Sequence, residues 1–336
     1  MDSLTHIVLG ACIGELFAGK QLGKKALAAG AIAQSIPDID FLASFWLDPV
    51  SDLIAHRGFT HSWLFVFLIT PLLAVGAGRW FKKYHLSLQR WIWFIGTELA
   101  VHLFLDAFNA YGTGWFEPFL HTRISFHTLF VADPLFSLPP GIAFILLLIR
   151  GTGWPKRKYW ALSAVSFVCA YLLFSLFSKF TVENRVREIA LRQNIHYKKH
   201  FTTPTPLNNL LWYAVLESDS GYYTGYRSLF DTKQDMAFQY FPRNSGLAGK
   251  LHDPVQFKKL QVFSQGYYTL EKRKDTLVFS DLRFGQIIGW RDPRAPFSFY
   301  YFADQPDANR MIIQRGRFAN WNRSAFGSML RRIRGE

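Results

Sequence analysis

Residues 91–110, WIWFIGTELAVHLFLDAFNA, decide the fold. A run of 20 mostly apolar residues is the length that crosses a bilayer as a helix. Yet Glu98, His102, Asp106 and Asn109 recur along it at helical spacing, so they share one face. A charged group in a membrane segment costs at least about 2.5–3.5 kcal/mol on insertion scales. An imidazole and a carboxylate at i, i+4 in such a place need a common purpose. Holding one metal ion is such a purpose; a hydrogen bond that only fixes helix packing is the simpler one.

Outward from this stretch lie three more apolar runs near spanning length, at residues 62–80, 134–149 and 159–178. Two shorter ones, 4–19 and 26–36, flank Lys20, Lys24 and Lys25 and predict a tight or re-entrant helical hairpin. Its Gly and Ala content (Gly10, Gly14, Gly30, Ala26, Ala29) permits close helix packing. The fold expected for residues 1–180 is therefore an α-helical membrane domain, with four full spans and an N-terminal short hairpin. Basic residues fall in three clusters: Lys20, Lys24 and Lys25; Arg79, Lys82, Lys83 and Arg90; Arg150, Lys156, Arg157 and Lys158. If every segment crosses, all three share one side, which the positive-inside tendency makes cytoplasmic.

The opposite side then receives the remaining metal-type side chains. Asp2 and His6 are i, i+4, although an acid at a helix start also suits the helix dipole. Asp38 and Asp40 follow Pro37, which stops a helix, and two carboxylates one residue apart suit a bridged metal site or, more plainly, helix caps. The run His56-Arg57-Gly58-Phe59-Thr60-His61-Ser62 is the most specific local signal, with two imidazoles bracketing a Gly turn beside an Arg. Ser62 or Thr60 can cap the helix that begins there. Asp133 precedes Pro134 and suits a ligand or an N-cap equally. The candidate metal ligands are thus Asp2, His6, Asp38, Asp40, His56, His61, His102, Asp106 and Asp133. Asp38 and Arg57 are the candidate catalytic residues: a carboxylate outside the metal shell as general base (Asp40 being the other choice), and a guanidinium that clamps an anionic group.

Asp2-x3-His6, Pro-Asp-x-Asp, His-Arg-Gly-x-Thr-His-Ser, His-x3-Asp-x2-Asn-x-Tyr-Gly-Thr and Asp133-Pro134 together resemble the YdjM/YbcI-like family of membrane-bound proteins assigned as metal-dependent hydrolases. The resemblance covers roughly residues 1–180 and implies a multi-pass protein of the bacterial inner (cytoplasmic) membrane. That family has been related more distantly to zinc-dependent phospholipase C and to nucleases that cleave phosphoesters at zinc clusters. The His102-x3-Asp106 helix is similar to one of their metal-ligand pairs, and only that pair's role carries over.

The second half differs in composition. The chain has 336 residues and a formal net charge of +14, with 38 Lys and Arg against 24 Asp and Glu. Residues 1–180 hold 14 of the basic and 10 of the acidic residues, so most of the excess lies beyond them. A basic surface suits anionic lipid as well as nucleic acid, and nucleic acid is not expected. Two cysteines exclude a disulfide framework. Residues 181–206 suggest a basic amphipathic helix ended by Thr203-Pro204-Thr205-Pro206. Residues 207–336 alternate in strand fashion, with a hairpin at 211–216 and 222–226 and further strands at 255–264, 266–271, 276–283 and 297–303. They predict a small, mainly antiparallel β domain outside the cytoplasm. Its basic end, from Arg310 to Arg334, suits lipid phosphates.

The function that fits this pattern best is an integral-membrane metal-dependent hydrolase. It would hold a divalent metal, zinc by its share of histidine, and act on a phosphoester or lipid-linked substrate at the membrane–water boundary. Two other classes use similar residues. A metal or proton transporter would need polar groups along the whole path, whereas here they crowd at one end. A non-enzymatic membrane protein would use the metal as a structural clasp.

Overall fold

The structure, a computed structural model, describes residues 1–250, 253–273, 276–303 and 321–336. The chain folds as two compact units. Met1–Phe45, Ala55–Phe126 and Phe130–Phe174 form the first; Trp46–Ile54, His127–Leu129 and Ser175–Glu336 form the second.

The first unit begins with the expected hairpin. Helices α1 (Ser3–Leu22) and α2 (Lys24–Ser35) are joined by Gly23, whose φ of 58° is the left-handed conformation that glycine adopts without cost. The two backbones touch. A Cβ added to Gly14 would lie 2.2 Å from the Ala26 carbonyl oxygen, and one added to Gly30 would lie 2.0 Å from that of Gly10. Pro37 ends the run of α2, and a 3-10 segment (Pro37–Phe45) carries Asp38 and Asp40 away from it. A short α3 (Pro49–Ala55) falls mostly in the second unit. Ser62 caps α4 (Trp63–Trp80), its Oγ accepting from Phe65 N at 3.1 Å. Helices α5 (Leu88–Asp106), α6 (Pro134–Ile149) and α7 (Arg157–Arg192) follow.

Two apolar clusters hold this unit together. Trp91, Phe94, Ile95, Leu99 and Leu103 of α5 pack on Ala18, Leu22 and Ala26 of the hairpin and on Val66 and Ala74 of α4. Ala11, Cys12 and Leu27 pack on Ala143 and Leu147 of α6 and on Ala161 and Ala164 of α7. An ion pair fastens the end away from Asp38. Arg157 donates from Nε to Glu15 Oε1 at 2.8 Å and from Nη2 to Oε2 at 2.6 Å, and from Nη1 to the Leu147 carbonyl at 2.7 Å. The bidentate pairing satisfies two charges that burial would otherwise leave at high cost.

Among the described residues, two helices, not four, are long and apolar enough to cross a membrane: α4 and α7. The expectation of four full spans is corrected for local reasons. Asp133 and Arg150 cap α6 at 16 residues, short of the roughly 20 that a span requires. The length of α5 is 19 residues, but Arg90, Glu98, His102 and Asp106 interrupt its apolar character.

The second unit contains the expected antiparallel β-structure. Strands β1 (Lys199–Pro204), β2 (Leu211–Glu217), β3 (Gly221–Ser228) and β4 (Gln239–Pro242) form one sheet in that order. Strands β5 (Tyr268–Arg273), β6 (Thr276–Gln286) and β7 (Phe297–Phe302) form the other. Period-two alternation buries both faces of β2. Trp212, Ala214 and Leu216 meet Val182, Val186, Ile189 and Ala190 of α7, whereas Tyr213 and Val215 meet Leu282 and Phe297 of the second sheet.

Three expectations for this half fare differently. The boundary at 180 falls inside α7, because Val182, Val186, Ile189 and Ala190 give the helix a new face to bury after its apolar part ends. The strand expected at 255–264 is helix α8 (Pro254–Phe263), started by Asp253, whose Oδ1 accepts from Val255 N and Gln256 N, and by Pro254 at the first position. Of the basic end, 310–320 lies outside the described residues. In helix α9 (Arg323–Ile333), Arg332 is paired with Asp231 at 2.6 Å.

Candidate metal centre

Asp38, His61, His102 and Asp106 come together from three parts of the first unit: the 3-10 segment after α2, the turn before α4, and the last two turns of α5. One donor atom from each lies within 4.8 Å of the other three. His61 Nε2 is 3.6 Å from Asp38 Oδ1 and 3.4 Å from Asp106 Oδ2. His102 Nε2 is 3.5 Å from Asp38 Oδ1, 3.8 Å from Asp106 Oδ2 and 3.1 Å from His61 Nε2. Ligand atoms bound at about 2.0–2.1 Å in a tetrahedron stand roughly 3.3–3.4 Å apart. The five distances just given bracket that spacing.

Hydrogen bonding fixes which atoms face inward. His102 Nδ1 lies 2.6 Å from the Gln34 carbonyl oxygen, which can only accept. Nδ1 therefore carries the proton and, in the neutral ring, Nε2 carries the lone pair. His61 Nδ1 lies 3.2 Å from the Asp40 carboxylate, which sets the same tautomer. Two imidazole lone pairs thus face each other at 3.1 Å, with two carboxylate oxygens beside them. Asp106 Oδ2 is buried, with Arg57 Nε as a cationic neighbour at 3.0 Å that is not in hydrogen-bond geometry. Four electron-rich atoms converging in a buried site repel one another unless a cation lies between them. The residues present could hold a metal ion.

The supporting residues are as well defined. Asp40 accepts from His56 Nδ1 at 3.0 Å, Arg57 N at 2.7 Å and Thr60 Oγ1 at 3.1 Å, besides facing His61. Burial alone would raise the Asp40 carboxyl, but hydrogen bonds from His56 and His61 hold it well below the usual carboxylate range. Arg57 has a positive φ of 61°, a rare conformation for a residue with a Cβ. That turn lets its backbone N–H reach Asp40 while its side chain enters the protein. There Nε is 3.0 Å from Asp106 Oδ2, Nη1 donates to Asn109 Oδ1 at 2.9 Å, and Nη2 donates to the Met1 carbonyl at 3.1 Å. The Met1 nitrogen also contacts Asp106 Oδ1.

The nine expected ligands divide into three groups. Asp38, His61, His102 and Asp106 form the four-donor cluster. His6 borders it, with Nε2 3.1 Å from Asp106 Oδ1 and its ring stacked on His102 at 3.9 Å, while Asp40 and His56 stand behind His61. Asp2 and Asp133 serve elsewhere, as helix caps. Asp2 Oδ1 accepts from Thr5 N at 3.0 Å, and Asp133 Oδ1 accepts from Leu135 N at 2.9 Å while its Oδ2 accepts from Tyr171 at 2.7 Å. An acid at a helix start meets free N–H groups whether or not a metal is near. Arg57, expected to clamp an anion, instead has its guanidinium nitrogens turned to protein groups.

Gln34 was not among the sequence candidates. It is fully buried at the end of α2, and it serves two histidines. Its carbonyl takes the His102 proton. Its side-chain amide, oriented so that the nitrogen donates to Glu98 Oε2 at 2.5 Å and to the Glu98 carbonyl at 2.7 Å, turns its oxygen to His6 Nδ1 at 3.5 Å. A lone amide in the small-residue run AGAIAQS, four residues before Asp38, was the signal available. Replacing Gln34 with Leu keeps the volume and removes the amide. The His102 contact survives because it uses the backbone carbonyl, so metal affinity is expected to fall by no more than about 10-fold, the low end of the cost of losing a partner behind a ligand. Competition with a coloured chelator measures it, and a loss of about 100-fold or more would show that the amide, and not the carbonyl, is the support that matters.

The comparisons with known proteins give the chain's family. The profile of the family described as YdjM inner membrane protein matches residues 1–182. The chain is 35% identical over 123 residues to the inner membrane protein YbcI of Escherichia coli (strain K12), covering 36% of this chain and 69% of that one. It is 29% identical over 179 residues to the uncharacterized protein YfhP of Bacillus subtilis (strain 168), covering 46% of this chain and 52% of that one. No solved structure matches. The metal cluster and its supports, from His6 to Asn109, all lie inside the matched region, and the chain belongs to the YdjM inner membrane protein family.

Proposed function

We propose that this protein is an integral-membrane metal-dependent hydrolase acting on a phosphoester, most naturally a lipid or lipid-linked one. The observation that carries this reading is the convergence of His61 Nε2, His102 Nε2, Asp38 Oδ1 and Asp106 Oδ2 at coordination spacing, with both imidazole Nδ1 atoms tied back. Two histidines and two carboxylates suit zinc. Such an ion, when bound, lowers the pKa of a water ligand from about 15.7 to about 7.

The chain's own residues then have separable roles. Asp38 is the most accessible member of the cluster, its side chain 21% exposed where the other three are fully buried. Its Oδ1 faces the cluster, while Oδ2 points to Ser3 Oγ at 3.5 Å and is placed to take a proton from water. Asp40 is committed to its four donors and holds His61 in its tautomer. Arg57 positions Asp106 and balances its charge, in place of the substrate-clamping role that its sequence context suggested. We further place the protein across the bacterial inner membrane in more than one pass, with α4 and α7 as the crossing helices. The lysine-rich ends then face the cytoplasm, and the metal centre and the β-rich C-terminal part lie outside.

Purified protein incubated with phospholipids and a lipid-linked diphosphate is expected to release phosphate or a phosphorylated headgroup. A chelator should abolish the release and added zinc restore it, and Asp38→Asn should weaken metal binding and, even at saturating zinc, turn over at least about 100-fold more slowly. Absence of metal-dependent turnover on every substrate, in protein that retains its metal, would favour the structural-clasp reading.

A further inference from the structure

A groove of about 710 Å³ opens between α2, α4 and α5, away from the metal cluster's donors. Apart from Lys25 at one end, its lining is apolar or glycine, including Ile32, Ile36, Gly76, Trp80 and Trp91. Ile32 and Trp80 are 65% and 83% exposed, so the lining faces outward rather than inward. From Lys25 to Ile36 the groove follows α2 for about 16 Å at the helical rise of about 1.5 Å per residue. That length is close to the roughly 15 Å of hydrocarbon in one leaflet, half of a core about 30 Å thick.

The charge at the Lys25 end is as informative as the length. Lys25 Nζ lies 5.5 Å from the centre of the Tyr84 ring, and Lys83 Nζ lies 5.2 Å from the same ring. Among the described residues neither ammonium has a carboxylate partner. Two cations gathered on one ring at the rim of an apolar groove complement a ligand with an anionic head and a hydrocarbon tail. The Tyr84 hydroxyl, drawn below the usual tyrosine value first by the hydrogen bond from Lys25, responds to the same field.

We propose that this groove is a binding site for one anionic phospholipid of the leaflet on the lysine side, with its phosphate at Lys25 and Lys83 and one acyl chain along α2 toward Ile36. A neutral or zwitterionic lipid would fill the groove but forgo the paired cations. The site is independent of the hydrolase reading, because it uses none of the metal cluster's side chains and the opposite end of α2.

The test uses the full chain in vesicles of phosphatidylglycerol or phosphatidylcholine, extracted and examined by native mass spectrometry for retained lipid. Wild-type protein is expected to keep one phosphatidylglycerol in preference to phosphatidylcholine. Lys25→Gln with Lys83→Gln should weaken that preference by about fivefold per lysine removed, the scale of one basic residue at an anionic surface. Gly76→Phe tests the tail. A Cβ at Gly76 meets nothing within 4 Å, so a bulky side chain can enter the groove without disturbing the helix contacts, and bound lipid of either kind should be lost. An unchanged gel-filtration profile and thermal midpoint in both variants report that the fold is intact. Equal retention of the two lipids by wild type, or undiminished lipid in Gly76→Phe, would overturn the proposal.

Discussion

Asp106→Asn is expected to strip the protein of metal and to destabilise it, whereas Asp2→Asn and Asp133→Asn leave the metal content unchanged. Asp106 is the hub of the site. One of its oxygens faces His6 Nε2 at 3.1 Å; the other lies 3.0 Å from Arg57 Nε and 3.4 Å from His61 Nε2. All of this is buried. The amide removes a negative ligand and leaves the Arg57 charge without its counter-ion, and breaking a buried pair in that way costs about 3–5 kcal/mol. Metal per chain, measured by elemental analysis after gel filtration, should fall to background, and the thermal midpoint should fall with it. Arg57→Met in the same background removes the unpaired cation and should recover part of the stability but none of the metal. Asp2 and Asp133 carry the same chemistry at helix starts, and losing a cap costs about 1 kcal/mol without reaching the ion. If Asp133→Asn emptied the site while Asp106→Asn did not, the assignment of ligands would be wrong.

That contrast shows where the sequence was legible. His102 and Asp106 are i, i+4 on one helix, so helical geometry alone joined them. His56 and His61 sit within six residues, and a Gly turn between them kept both near one place. Asp38 and Asp40 were read as interchangeable, each a candidate ligand and either one a candidate general base. In the 3-10 segment, residues two apart point to different neighbours, so Asp38 faces the cluster and Asp40 backs His61. Asp2 and Asp133 could not be told from ligands because a carboxylate before a helix has the same sequence signature whichever donor it meets. Gln34 escaped notice because its more consequential contribution, the carbonyl that takes the His102 proton, belongs to the backbone and has no signature at all.

The fold followed the same rule. The hairpin was readable because close packing demands small residues and these are visible as such. Helix α8 was not, because the alternation in PVQFKKLQVF suits a strand and only the Asp253-Pro254 start overrules it. The length of α7 was hidden by a change of partner. Its apolar half ends near residue 180, and the face that keeps the later turns helical is buried on a sheet whose strands come after it in the chain.

The hairpin also gives the second large effect. Alanine is expected to act in opposite senses at two glycines of this unit. At Gly30 a Cβ would lie 2.0 Å from the Gly10 carbonyl oxygen and 2.9 Å from Glu98 Oε1. The first of these atoms is backbone and cannot rotate aside, so α1 and α2 must separate, at a cost of about 3 kcal/mol or more, the upper end of overpacking effects. At Gly141, inside α6, a Cβ meets nothing within 4 Å, and the substitution should stabilise by about 0.5–1 kcal/mol through helix propensity. Thermal unfolding in one detergent compares the two directly, and Gly30→Ala as stable as wild type would show that the helices are not in backbone contact. The same closeness reaches the metal centre. A Cβ at Gly10 would lie 2.5 Å from Gln34 Cβ, and Gln34 and Glu98 stand behind His6 and His102. Gly30→Ala should therefore weaken metal binding as well as stability, although no atom of Gly30 is a ligand: the absence of a side chain there lets α2 bring the Gln34 carbonyl within 2.6 Å of His102.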